Sequence, residues 1–189
     1  PSILAIFLMP FSWLFGLIAA LRRWCYRCGF LKSYRFKQAV IVVGNITVGG
    51  TGKTPLVIEI ARQLTAAGFK PGIVSRGYGG SASGKPMQVQ MNSDVSVVGD
   101  EAVLLARQSH CPVFVSADRV GAVKALLNHY QECDVIISDD GLQHYRLQRD
   151  IEIAVVDSER KYGNGLLLPA GPLREPISRL SEVDYVIAN

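Results

Sequence analysis

Acid is missing from the first third of this chain: between Pro1 and Ile58 there is no Asp or Glu. Arg22, Arg23, Arg27, Lys32, Arg35, Lys37 and Lys53 fall in that stretch, seven of the 20 Lys and Arg. The other 13 stand against all 16 acids, so residues 59–189 carry about −3 while the whole chain carries +4. The positive charge is therefore a property of an N-terminal arm. A nucleic-acid-binding domain needs its basic face on the folded body, so no nucleic-acid partner is expected.

Other absences narrow the field further. No positive charge precedes the apolar run Ile3–Leu21, which argues against a signal peptide. Four cysteines in 189 residues make no disulfide framework. Cys25 and Cys28 form a C-x-x-C, but no second pair follows at metal-ligand spacing and no redox βαβ pattern surrounds them. Cys111 and Cys133 read as small core hydrophobes, and all four are expected to be reduced. No internal repeat or low-complexity segment occurs. With 49% hydrophobic residues the chain can bury one sizeable core.

What is present begins with that apolar run. Ile3–Leu21 is 19 uncharged residues, and at ~1.5 Å per residue it matches roughly the hydrocarbon thickness of a bilayer. Pro10 predicts a kink, and Trp13 and Trp24 suit membrane interfaces. Arg22, Arg23 and Arg27 follow directly, which by the positive-inside tendency puts the remainder on the cytoplasmic side. A buried core helix, or a helix lying in the interface, fits the same run.

Beyond the arm the pattern becomes strand, glycine loop, helix, repeated. "VIVVGN" is a continuous β-branched run, as in a parallel strand buried on both faces. "TPLVIEIARQLTAAG" has helical spacing and a stop at Gly68. "PGIVS" reads as a strand, followed by the loop "RGYGGSASGKP"; "MQVQMNSDVSVV" alternates weakly and reads as a hairpin. "DEAVLLARQ" predicts a short helix, "PVFVS" a strand, and "DRVGAVKALLNHY" a helix with Asp118 as N-cap. "DVIISDD", "IEIAVVD" and "DYVIA" complete the strands. The expected fold is α/β, a three-layer sandwich with a mostly parallel sheet, preceded by a membrane helix. The chain opens on Pro1 and stops at Asn189 on what reads as a strand tip, so both ends are expected to be those of a fragment.

"TVGGTGKT", Thr47 to Thr54, lies between a buried strand and a helix, the context a P-loop needs. Gly49, Gly50 and Gly52 let backbone N–H groups wrap phosphate oxygens, and the following helix adds its positive end. Lys53 would reach the β- and γ-phosphates, and the Thr54 hydroxyl would bind Mg²⁺. The usual first glycine of G-x-x-x-x-G-K-[ST] is Thr47 here. "DVIISDDG" delivers Asp139 and Asp140 at the carboxyl end of a strand, as a Walker B element does for Mg²⁺, although two adjacent acids also cap turns. In an open parallel sheet these ends share one crevice. "GDEA" opens a helix with Asp100 and Glu101, which favour a helix start by charge; Asp100 is also a candidate general base. Gln143 and His144 follow the acid pair in "DDGLQHYR". His110 and His129 lie at helix ends and read as structural. Arg119, Arg174 and Glu175 are polar groups in or beside loops, and spacing does not decide their role.

Five stretches in order, "VVGNITVGGTGKTP", "VSRGYGG", "VGDEAVLLA", "SDDGLQHYRLQRDIEIAVVD" and "GNGLLLPAGPLREP", resemble the lipid A 4′-kinase family (tetraacyldisaccharide 4′-kinase) over almost the whole chain. "DDGLQHYRL" with "LPAGPLRE" is far more specific than a P-loop. The resemblance implies a P-loop NTPase fold and transfer of the ATP γ-phosphate to the 4′-hydroxyl of a tetraacylated glucosamine disaccharide 1-phosphate, giving lipid IVA. It implies ATP binding by Thr47, Val48, Gly49, Gly50, Thr51, Gly52, Lys53 and Thr54, with Mg²⁺ on the side of Thr54, Glu101, Asp139 and Asp140. Asp100 matches the family's proposed base, with Lys53 as its catalytic cation. Arg119, Gln143, His144, Arg174 and Glu175 fall in family motifs near the phosphates or acceptor, and Ser75–Gly80 in a loop beside the acceptor. It further implies contact with membrane lipids at a bacterial inner membrane, with the catalytic domain cytoplasmic.

The domain organisation expected is a helix and the start of the basic arm over 1–28, a basic linker over 29–39, and a P-loop kinase domain over 40–189 whose C-terminal lobe lies outside this chain. A histidine thought to assist the Asp base belongs to that lobe. Three rivals compete: a membrane-associated switch ATPase, a nucleotide-binding scaffold and a soluble small-molecule kinase. Val48 stands where the switch ATPases carry their signature lysine, and the apolar helix disfavours the soluble kinase.

Overall fold

Seven strands form one sheet in the order β3-β4-β2-β5-β1-β6-β7. The computed structural model describes residues 3–50, 52–80 and 85–189. The strands are β1 (Ala39–Gly44), β2 (Pro71–Ser75), β3 (Met87–Val89), β4 (Val113–Val115), β5 (Val135–Asp139), β6 (Ile151–Val156) and β7 (Tyr185–Ala188). The helices are α1 (Ile3–Arg27), α2 (Lys53–Ala66), α3 (Val95–Val98), α4 (Asp100–Ser109) and α5 (Arg119–His129), with a 3₁₀ turn at Ile177–Ser181. All pairings are parallel except β3 with β4.

Alternation along the central strands builds the three layers. On β1, Ile41 and Val43 face a core shared with α2 and α4, through Val57, Ala61, Leu105 and Ala106. Val40 and Val42 face the other core, filled by Val120, Val123 and Leu126 of α5. Because both faces are covered, β1, β2 and β5 are buried almost end to end, which explains their unbroken apolar runs.

Local chemistry sets the boundaries. Gly68 takes φ 90° after α2; its N–H bonds the Thr65 carbonyl, and the Phe69 N–H bonds that of Leu64, a Schellman stop. The hairpin expected in "MQVQMNSDVSVV" is not formed. Only Met87–Val89 is extended, as an edge strand against β4. Asp94 instead accepts the Ser96 N–H at 2.8 Å and starts the single turn α3, so local capping outcompetes weak alternation. Asp118 occupies the N-cap position of α5 but makes no capping bond; its carboxylate pairs with Arg146 at 3.2 Å.

α1 runs through Pro10 and past Leu21 to Arg27. It is long and apolar enough to cross a membrane by length and composition. One side of it is fastened to the body. Ser12 Oγ donates to the Leu167 carbonyl at 2.8 Å, Arg22 to that of Gln143 at 3.2 Å, and Arg23 and Arg27 both pair with Glu182. The segment after α1 is stitched down too, with Tyr34 N–H bonded to the Arg146 carbonyl and Gln148 N–H to that of Tyr34. All four cysteines are free, Cys133 buried and Cys28 exposed.

Candidate functional site

The chain leaves β1 for β2 in one direction and β5 for β6 in the other, so the carboxyl ends of β1 and β5 border a topological switch point. The phosphate loop and the acid pair emerge there. Gly49 (φ 105°) and Gly52 (φ 73°) adopt backbone conformations that favour glycine, and α2 begins without a side-chain cap, leaving its first N–H groups available to an anion. Thr51 lies outside the described residues. The loop is braced by the segment carrying "LPAGPLRE": Val48 N–H bonds the Pro172 carbonyl at 2.8 Å, Arg174 N–H that of Ile46 at 2.7 Å, and Thr47 bridges to Leu173.

Asn45, directly after β1, is completely buried and organises the loop. Its amide nitrogen reaches Thr47 Oγ1 and the Gly49 carbonyl, each at 3.4 Å, and Oδ1 accepts from Lys53 Nζ at 3.3 Å. Lys53 also stands 3.6 Å from Asp140 Oδ1. Thr54 follows it in the first turn of α2.

Asp139 and Asp140 are adjacent yet differ in environment. Asp139 is buried; Oδ2 accepts from Ser75 Oγ at 3.3 Å, while buried Oδ1 has no protein partner. Burial, then the charge of Asp140, pushes its pKa up to about 6, against the pull of Lys53. Asp140 leaves the strand at φ 48° and takes Arg174 on both oxygens, at 3.0 and 3.2 Å. Burial works to raise its pKa, but Lys53 and Arg174 outweigh it and hold the carboxyl low. An unpartnered carboxylate oxygen beside a phosphate loop suits a hard cation such as Mg²⁺, which takes one or two protein carboxylates and completes its shell with phosphate and water.

Arg119 lies under this site. Its buried guanidinium donates to the Ser116 carbonyl at 2.8 Å and that of Asp139 at 3.0 Å, tying β4 to β5, and burial lowers its pKa to about 10. Gln143 Nε2 bridges the Asn45 carbonyl at 3.1 Å and Glu175 Oε1 at 2.8 Å. Glu175 is buried and also accepts from Tyr145 Oη at 2.7 Å, with Arg179 Nε at 3.3 Å. Burial, then the positive charge of Arg119 and Arg76, drives the pKa of His144 down to about 4, so its imidazole is neutral.

Asp100 and Glu101 open α4 and are exposed. Asp100 Oδ1 accepts its neighbour's N–H at 2.9 Å, and among the described residues Asp100 forms no ion pair. Glu101 is close enough to add to the upward push on Asp139. Gly99 packs against the backbone of Gly77 and Tyr78, so the "SRGYGG" loop abuts the start of α4.

A cavity of about 680 Å³ joins this centre to α1. Phe15, Ile18 and Ala19 of α1 line it together with Arg76, Asp140 and Arg174. Asn45, Tyr145 and Arg179 were not among the residues expected from sequence. Asn45 had a usable signal in its place at the end of a buried strand. Arg179 had little, since Glu175 and Glu182 flank it four and three residues away, but the partner it holds most tightly, Glu152, comes from β6.

The family model described as LpxK, tetraacyldisaccharide-1-P 4′-kinase, matches residues 4–189. The chain belongs to this family. It is similar to the tetraacyldisaccharide 4′-kinase of Nitrosococcus oceani, 56% identical over 182 residues, which cover 96% of this chain and 54% of that protein. The kinase of the same name from Azoarcus sp. is 59% identical over 183 residues, 97% of this chain and 53% of that one. The Coxiella burnetii protein is 55% identical over 186 residues, 98% and 57% respectively. This chain thus spans about half the length of its curated relatives. Among solved structures, the "apo" form of LpxK from Aquifex aeolicus in complex with ATP superposes with a TM-score of 0.89 at 34% identity, covering 99% of this chain and 59% of that one.

Proposed function

We propose that this chain is the nucleotide-binding part of a kinase that moves the γ-phosphate of ATP to the 4′-hydroxyl of a membrane-embedded tetraacylated glucosamine disaccharide 1-phosphate. The observation that carries this reading is the cavity that runs from the apolar face of α1 to Asp140 and Arg174 beside the phosphate loop. A lipid with a sugar head has that same polarity, and the cavity would bring the head to the phosphates.

ATP binding falls to Thr47–Thr54, where glycine N–H groups and the start of α2 meet phosphate oxygens and Lys53 neutralises the transferring group. Thr54, Asp139 and Asp140 would hold Mg²⁺, with Glu101 nearby, and the ion would supply further charge neutralisation at the phosphates. Asp100, exposed at the start of α4, takes the proton from the acceptor hydroxyl as the oxygen bonds phosphorus and ADP departs. Arg174 keeps Asp140 ionised, and Glu175 and Gln143 fix the wall between phosphate loop and acceptor cavity. Arg119 supports the floor of the site. α1 and the basic arm keep the centre at the cytoplasmic face of an inner membrane, where ATP in water meets a lipid acceptor.

The test uses full-length protein, Mg²⁺, γ-labelled ATP and detergent-dispersed tetraacyldisaccharide 1-phosphate, with Asp100→Ala in parallel. Label appearing in the lipid, reduced on the order of ~10²-fold in the variant while ATP still binds, supports the reading. Release of free phosphate indifferent to the lipid would leave a membrane-associated ATPase instead.

A further inference from the structure

Three cations converge on one aromatic ring. Lys124 Nζ lies 4.9 Å, the Arg146 guanidinium carbon 5.0 Å and Lys32 Nζ 5.1 Å from the centroid of Tyr34. They arrive from α5, from the loop after β5 and from the turn after α1, so the fold, not a run of basic sequence, assembles them. Only Arg146 has a carboxylate, Asp118 at 3.2 Å; among the described residues Lys32 and Lys124 pair with no acid. The ring attracts each cation, but three like charges around it repel one another and leave a net demand for an anion.

The neighbouring surface says what kind of anion. The turn that delivers Lys32 closes with Leu31 N–H on the Cys25 carbonyl. Phe30 in that turn (72% exposed) and Trp24 near the end of α1 (53%) hold their rings 5.5 Å apart. These continue the outward apolar side of α1, where Leu14, Leu17 and Leu21 are also exposed. The opposite side of α1 is bound to the body through Ser12, Arg23 and Arg27. Whatever apolar medium takes up α1 therefore brings the Tyr34 cluster to its edge. A polyanion without an apolar phase would leave these rings in water and would meet a body carrying about −3 over residues 59–189.

We propose that Lys32, Lys124 and Arg146 around Tyr34 form a headgroup-contact surface that seats the folded body on an anionic phospholipid bilayer, with Trp24 and Phe30 at the interface. This rests on the membrane reading of α1 and adds to it a second contact, on the catalytic body, that fixes how the acceptor cavity faces the lipid. Phosphodiester oxygens accept from the ammonium and guanidinium donors, and indole and phenyl rings sit at headgroup level.

The experiment is flotation of full-length protein with phosphatidylcholine vesicles and with vesicles containing phosphatidylglycerol as well. Wild type binds both through α1 and prefers the anionic ones. Replacing Lys32 and Lys124 together by Gln removes most of that preference, a loss of about 30-fold at low salt from two basic residues near a charged surface. Binding to phosphatidylcholine alone and the melting temperature stay as in wild type. The Arg, Arg double variant restores the preference. The proposal is overturned if the Gln variant binds anionic vesicles as wild type does, or loses binding to both vesicle types equally. Failure of wild type to bind either type would overturn the membrane reading itself.

Discussion

The Lys53 ammonium lies 3.6 Å from Asp140 Oδ1, so the phosphate-loop cation and an acid from the end of β5 are paired across the crevice between β1 and β5. The pair is only partly withdrawn from water, and Arg174 holds Asp140 from its other contacts at 3.0 Å. Incoming phosphate oxygens can therefore take over Lys53 without leaving Asp140 unpartnered.

Lys53→Ala should consequently fold, because Asp140 keeps Arg174. It should lower kcat/KM for ATP on the order of ~10²-fold, the scale of losing one cation or donor aimed at developing charge. Steady-state kinetics beside thermal melting check this. A variant with normal melting and normal kcat/KM would remove Lys53 from the mechanism.

Gly99→Ala acts on a neighbour of the proposed base. Gly99 sits at φ 88°, and an added Cβ would fall on the Tyr78 carbonyl. Either the "SRGYGG" loop or the first turn of α4, which carries Asp100, must move. A cost of about 1–3 kcal/mol is expected for forcing a non-glycine residue there, with transfer falling more than ATP binding. Denaturant unfolding and ATP titration separate the two effects; equal losses in both would argue for general unfolding.

Much of this was legible in the sequence, for identifiable reasons. β1 and β5 are buried on both faces, so their apolar runs stand out, and the glycines at 49 and 52 mark a loop whose backbone needs them. What stayed hidden at the site depends largely on partners distant in sequence. Asp139 and Asp140 look equivalent in "SDD", yet one is sealed beneath Ser75 and the other turns out of the strand to Arg174. Arg119 reads as a loop cation but spends its guanidinium on two carbonyls below the site. The weak alternation after Met87 misled because Asp94 caps a helical turn, a contact two residues long.

His144 should shape acid stability. Its pKa is about 4 in the folded protein against about 6.5 unfolded. Above pH 6.5 it is neutral in both states and adds no pH dependence. As pH falls from 6.5 towards 4 the unfolded chain takes up a proton that the folded one refuses, so stability is lost across that window. His144→Asn removes this contribution, and its urea midpoint should fall less between those pH values, by roughly 2 kcal/mol in unfolding free energy. Parallel acid limbs for both proteins would contradict the neutral, buried imidazole.

Asn45→Asp tests whether the loop is built around a neutral group. The change is nearly isosteric, but it puts a carboxylate where Oδ1 now accepts from Lys53 and removes the N–H donors that reach Thr47 and the Gly49 carbonyl. Asn45 is fully buried, so the new charge depends on Lys53 beside it and should bind that ammonium tightly. Phosphate must then compete with two carboxylates, the introduced one and that of Asp140, for one ammonium. ATP affinity by calorimetry should drop at least about tenfold, equivalent to ~1.4 kcal/mol, and the loss should shrink at low pH as the new carboxyl is protonated. Asn45→Ser, small and neutral, should keep more affinity than the isosteric acid. If the acid binds ATP as well as wild type, Lys53 leaves Asn45 freely and the contact is only where the lysine rests without nucleotide.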